Sequence, residues 1–167
     1  MWETISTLKR KNFNILKSLY FQESDKKSIW IINLKNQEHL KFLIDWLKVL
    51  PSNFFIIWET FLEETPTNIV FKTSLDKETL SGVDFILTDN DFEELKEYLS
   101  LWIAPILPTN NYLWSLLTEF DPLKSEGNSY LYEEFNVWSM FYSTVRYLEN
   151  FKFPYDNRNL VKNIVSL

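Results

Sequence analysis

The chain has no cysteine, a single histidine and only two glycines, and each shortage removes a class of chemistry. Without cysteine there is no disulfide framework, no thiolate zinc site and no thiol nucleophile, a usage that fits a reducing compartment. Phosphate-cradling loops need glycine, because the backbone must approach the anion closely and adopt positive φ. With Gly82 and Gly127 alone, no Walker A sequence, no G-x-G-x-x-G and no G-x-S-x-G can be written. Nucleotide-dependent chemistry on the common folds is therefore not expected, and neither is a bound cofactor. A serine-hydrolase triad or a histidine zinc site would have to use His39. Flanked by Glu38 and Lys41 in the first turn of a predicted helix, it reads as an ordinary helical side chain. Long apolar runs are missing too: 54–58 and 101–107 fall far short of the ~20 residues of a membrane span. The N-terminus, Met1-Trp2-Glu3-Thr4, has no apolar h-region, so a soluble, cytoplasmic protein is expected.

Aromatic residues are plentiful. Seven Trp, eight Tyr and fourteen Phe stand within a 46% hydrophobic composition, ample material for a core. A chain of 167 residues fits one globular domain, 1–167, that buries roughly 70% of its unfolded surface. Fifteen Asn and fourteen Lys against one Ala and three Arg follow the codon bias of an AT-rich gene.

Periodicity divides the chain into strands first and helices later. Residues 3–20 carry Ile5, Leu8, Ile15, Leu16 and Leu19 at helical spacing, and Ile29 to Leu34 is a β-branched run that reads as a buried strand. Asn36 caps a helix that ends at Pro51. Phe54–Phe61 and Asn68–Thr73 read as an antiparallel hairpin, and Val83–Leu87 as a third strand. Thr88 to Asp91 offer caps for a helix through Phe92, Leu95, Leu99 and Trp102, stopped by Pro105. A short helix over 111–120 is expected next. A long one over Tyr130–Asn150 follows, with Leu131, Phe135, Trp138, Tyr142, Val145 and Leu148 inward, and a last one spans Asn157–Val165. The expected class is α+β: a small mixed or antiparallel sheet in the N-terminal half packed by helices, and a helix-rich C-terminal half.

The carboxylate run from Asp89 to Glu94 fails as a calcium loop, because position six is Glu94 rather than glycine and position twelve is Ser100. Asp84 with Glu94-Leu95-Lys96 has the spacing of a divalent-metal nuclease, yet the triplet falls in a helical pattern where i and i+2 diverge. The aromatics Trp114, Trp138, Tyr130 and Tyr132, which could form a stacking platform, are assigned to the core on their helical spacing.

Charge is the one feature that points toward function. Between Pro51 and Glu134 there are sixteen acidic side chains against four lysines and no arginine, a local net charge of −12. The flanking segments are net basic, +4 over 1–50 and +2 over 135–167, leaving −6 for the whole. A one-sign field attracts cationic partners and repels nucleic acid. The expected site is therefore a partner-binding face built from Glu59, Glu63, Glu64, Asp89, Asp91, Glu93, Glu94 and Glu97. Trp58, Tyr98 and Trp102 would be its aromatic anchors. Small, acidic, cysteine-free and aromatic-rich, the chain resembles in composition the immunity proteins with which bacteria neutralise toxic nucleases. That resemblance implies a non-enzymatic protein occluding the active site of a basic toxin. A DNA-mimic inhibitor, a structural adaptor and a divalent-metal nuclease are the alternatives.

Overall fold

The computed structural model describes residues 2–59, 65–89, 95–110 and 116–167. Its centre is a six-stranded, all-parallel sheet in the order β3-β2-β1-β4-β5-β6. The strands are β1 (Ile29–Asn33), β2 (Asn53–Ile57), β3 (Ile69–Lys72), β4 (Phe85–Thr88), β5 (Ala104–Pro108) and β6 (Tyr130–Tyr132). Helices α1 (Trp2–Tyr20), α2 (Gln37–Leu47), α3 (Lys77–Leu80), α4 (Leu95–Ser100), α5 (Val137–Phe151) and α6 (Pro154–Val165) pack around it. After α1 the chain enters the sheet at β1, steps outward through β2 to β3, then returns to the other side of β1 and runs out through β4, β5 and β6.

This corrects the expected α+β class. The sheet is parallel throughout and extends into the C-terminal half. The supposed hairpin is a parallel pair, with Phe54 beside Ile69 and Ile56 beside Phe71. The physical cause lies in burial. β1, β2, β4 and β5 are buried along almost their whole length, so their sequences read as short continuous apolar runs, as sheets covered on both faces require. Such runs carry no alternation from which strand direction could be read.

Two strands were not expected from the sequence. Pro105, read as a helix terminator, lies in β5 opposite Ile86. Tyr130–Tyr132, read as the start of the long helix, form β6, and α5 begins only after Asn136, whose side chain accepts the Ser139 N–H at 2.9 Å. Of the helix expected after Thr88, the described part is α4, and Trp102 lies beyond it with φ +61°. Residues 90–94 and 111–115, on which other parts of these expectations fall, lie outside the described residues. The first helix, β1, the Asn36-capped helix and the last helix stand where the sequence puts them.

The core is aromatic. Trp30, with no exposed surface, meets Phe54, Phe85 and Tyr147 edge to face at 5.8, 4.3 and 5.7 Å between centroids, joining β1, β2, β4 and α5. Gly82 lets α1 lie close to the α3–β4 junction: a Cβ there would stand 2.6 Å from Leu16 Cδ1 and 2.9 Å from the Asn12 carbonyl carbon. No helix among the described residues is long and apolar enough to cross a membrane.

Candidate functional site

In a doubly wound parallel sheet, the connections leave β1 and β4 in opposite directions, and a crevice opens outside their carboxyl ends. Lys35 and Asn36 follow β1 there, and Asp89 follows β4. Asp89 is buried at 7% exposure; one carboxylate oxygen accepts the Lys35 N–H at 2.8 Å and the other the Asn36 N–H at 2.9 Å. Asn36 Oδ1 in turn accepts the N–H groups of Glu38 and His39 at 3.0 and 3.1 Å. The amides at the start of α2, which in such folds take a ligand phosphate, are thus satisfied by the chain's own side chains. This explains how a doubly wound sheet exists without a glycine-rich loop. Where a carboxylate from the neighbouring loop takes the place of an external anion, no backbone needs to approach a pyrophosphate. The two glycines thus exclude the loop, not the sheet.

Next along the same edge lies an open cleft of about 500 Å³ between the ends of β5 and β6 and the first turns of α5. Thr109, Glu119, Tyr132, Glu133, Glu134, Ser139, Tyr142, Ser143 and Arg146 line it with Leu131. Its floor is tied to the crevice: Tyr132 Oη donates to the Thr88 carbonyl at 2.8 Å, and the Thr109 N–H donates to the Tyr132 carbonyl at 2.9 Å. Glu119 is held at both oxygens, one accepting the Leu131 N–H at 2.6 Å and the other paired with the Arg146 guanidinium. The turn that delivers Glu119 depends on Gly127, whose φ is +86° and where a Cβ would stand 2.1 Å from the Glu119 carbonyl oxygen. Arg146 lies 5.5 Å from the centroid of Tyr130 and 5.7 Å from that of Tyr142, within cation–π range of both. Burial raises the Tyr130 phenol above its ordinary range, so it stays neutral. Arg146 is the one cation among the described lining residues and faces three carboxylates. With fixed acceptors, hydroxyls and an aromatic face, the cleft has the chemistry to hold a polyhydroxylated ring, and its guanidinium can meet an anionic substituent.

Of the eight carboxylates in the face expected from the sequence, three are among the described residues: Glu59, Asp89 and Glu97. Glu63, Glu64, Asp91, Glu93 and Glu94 lie outside the described residues. Asp89 is buried and bonded, whereas Glu59 is exposed and Glu97 is paired with Lys77 at 3.4 Å. Trp58 rests half-buried on Phe71, Tyr98 packs against the core, and Trp102 lines a separate hollow with Leu99 and Ile164. Among the described residues no group of three or more histidine, aspartate or glutamate side chains could hold a metal. Arg146 and Glu119 were missed because they are 27 positions apart and share no motif.

No family model and no curated protein matches the sequence. Solved structures do resemble the fold. The catalytic domain of Starch Synthase IV from Arabidopsis thaliana, bound to ADP and acarbose, matches with a TM-score of 0.76 at 14% identity, over 95% of this chain. The chain spans 39% of that protein's length. A likeness at this identity shows the fold alone, a Rossmann-like parallel sheet. Against this finding the reading as a non-enzymatic immunity protein and toxin inhibitor is corrected.

Proposed function

We propose that this chain is a sugar-nucleotide-binding domain of glycosyltransferase type, with the sugar seated in the cleft at the ends of β5 and β6. The observation that carries this reading is the cleft's position, at the carboxyl edge of a sheet ordered 3-2-1-4-5-6. The structural neighbour bound to ADP and acarbose supports the ligand class. The closed amides of α2 move the phosphates away from the first turn of the fold and toward Arg146. Glu119, Glu133 and Glu134 accept sugar hydroxyls, and Ser139, Ser143 and Thr109 add shorter-range partners.

Isothermal titration of the chain with ADP-glucose, UDP-glucose, ADP and UDP tests this. At least one sugar nucleotide should bind more tightly than its parent nucleotide. R146A should weaken it at least tenfold, since hydrogen bonds to charged groups are each worth about 1.5–3 kcal/mol. Absence of binding by all four at millimolar concentration, or indifference to R146A, overturns the assignment.

A further inference from the structure

The long helix α5 departs from expectation on its outer face. Phe135, Trp138 and Tyr142, assigned to the core by spacing, are 55%, 68% and 65% exposed. The buried positions of α5 are instead Met140, Ser143, Thr144, Tyr147 and Leu148. On neighbouring α2, Leu40, Leu43, Ile44 and Leu47 face the core, leaving Phe42 at 63% exposed. The two outer faces meet: the Trp46 ring lies 4.7 Å from Trp138 and 4.7 Å from Phe141, so the half-buried Trp46 buttresses the exposed indole. The core needs none of these outer rings, and holding them in water is unfavourable unless something covers them.

We infer that this aromatic surface is a carbohydrate subsite that holds a neutral oligosaccharide leading into the cleft. Two observations choose the occupant. The surface is continuous with the cleft, because Tyr142 belongs to both and Trp138 stands one turn before it on α5. The adjoining wall carries Glu133 and Glu134, both exposed, whose carboxylates can accept hydroxyl donors. A pyranose ring has an apolar C–H face that lies on an aromatic ring and a hydroxyl edge that reaches carboxylates, and both halves of that recognition are present. This rests on the reading of the cleft as a sugar site and extends it to the glycan beside the transferred sugar.

The test is a titration of wild type with uncharged maltohexaose, cellohexaose and chitohexaose, followed by tryptophan fluorescence. W138A and F42A, both at exposed positions and so expected to fold, are run in parallel, with sedimentation to read the oligomeric state. One hexasaccharide should bind and perturb the fluorescence, and W138A should lower that affinity at least tenfold. The inference is overturned if no hexasaccharide binds, if W138A leaves the affinity unchanged, or if the wild type is a dimer that W138A dissolves without any sugar effect. Because the sugar-nucleotide titration uses a different ligand and a different variant, binding there without hexasaccharide binding sinks this subsite alone.

Discussion

Asp84 and Lys9 show how two charges are accommodated beneath the sheet, at the amino end of β4. Lys9 Nζ donates to the Val83 carbonyl, and Asp84 Oδ2 accepts the Ile29 N–H at 3.1 Å, so each charge has a backbone partner where α1 crosses the strand ends. Both side chains keep some contact with water, but the packing around them is dense enough to disfavour charge. Burial raises the Asp84 carboxyl above its usual range, an effect the Lys9 ammonium opposes, and burial lowers Lys9. A carboxyl whose folded-state pKa lies above its unfolded value of ~3.9 contributes stability that is full below that value and is lost as pH rises through the folded pKa. We expect D84N, which keeps an acceptor for Ile29, to lack this decline. Urea midpoints measured from pH 4 to pH 8 should fall relative to D84N in wild type as pH rises; parallel profiles would show that Asp84 carries no such linkage.

Helix α2 is the element on which the candidate site turns, since its first amides decide where an anion can bind. The Asn36 cap is worth about 1 kcal/mol, and N36A should cost that amount in chemical denaturation. Asp89 is more consequential. Removing it in D89A leaves two part-buried N–H groups without this charged acceptor, a loss of about 1.5–3 kcal/mol. It also vacates the position of an anion. Inorganic phosphate should therefore raise the melting temperature of D89A in a concentration-dependent way while leaving wild type nearly unmoved. An equal response of both proteins would show that the Lys35 and Asn36 amides vacated by Asp89 do not take an anion. The sequence announced the Asn36 cap plainly. It gave no sign that Asp89, the first residue of an apparent acidic cluster with cap-forming neighbours, is the acceptor for a loop more than fifty positions away.

Across the molecule, the excess of negative charge turns out to serve structure at many points. Among the described residues of the acidic segment, Asp76 caps α3 through the Thr79 N–H, Asp121 pairs with Lys124 and Glu119 pairs with Arg146. Asp84, Asp89 and Glu97 likewise have partners close by. Cohesion between the two halves comes instead from Tyr147. It is 1% exposed, lies against Trp30, Phe85 and Tyr130, and donates its hydroxyl to Asn157 of α6 at 2.8 Å. Burial raises its phenol well above the ordinary value, so it is neutral throughout the physiological range. Y147A should cost about 3–5 kcal/mol, the range for emptying a large aromatic site, and a loss below 1 kcal/mol by urea unfolding would place the joint elsewhere.

The sequence alone determined the local elements whose signals are local: the apolar run of β1, the cap of α2, the spacing of α1 and α6, and the absence of any glycine-rich phosphate loop. Strand direction, the existence of β5 and β6, and the exposed face of α5 were decided only by the tertiary structure. A strand buried on both sides has no alternating face to display, and a helix rich in aromatics does not reveal which of them its neighbours will cover. The pairing of Glu119 with Arg146 and the docking of Asp89 on α2 depend on which strands lie side by side, and hydrogen bonds of that reach leave no periodic trace in the chain.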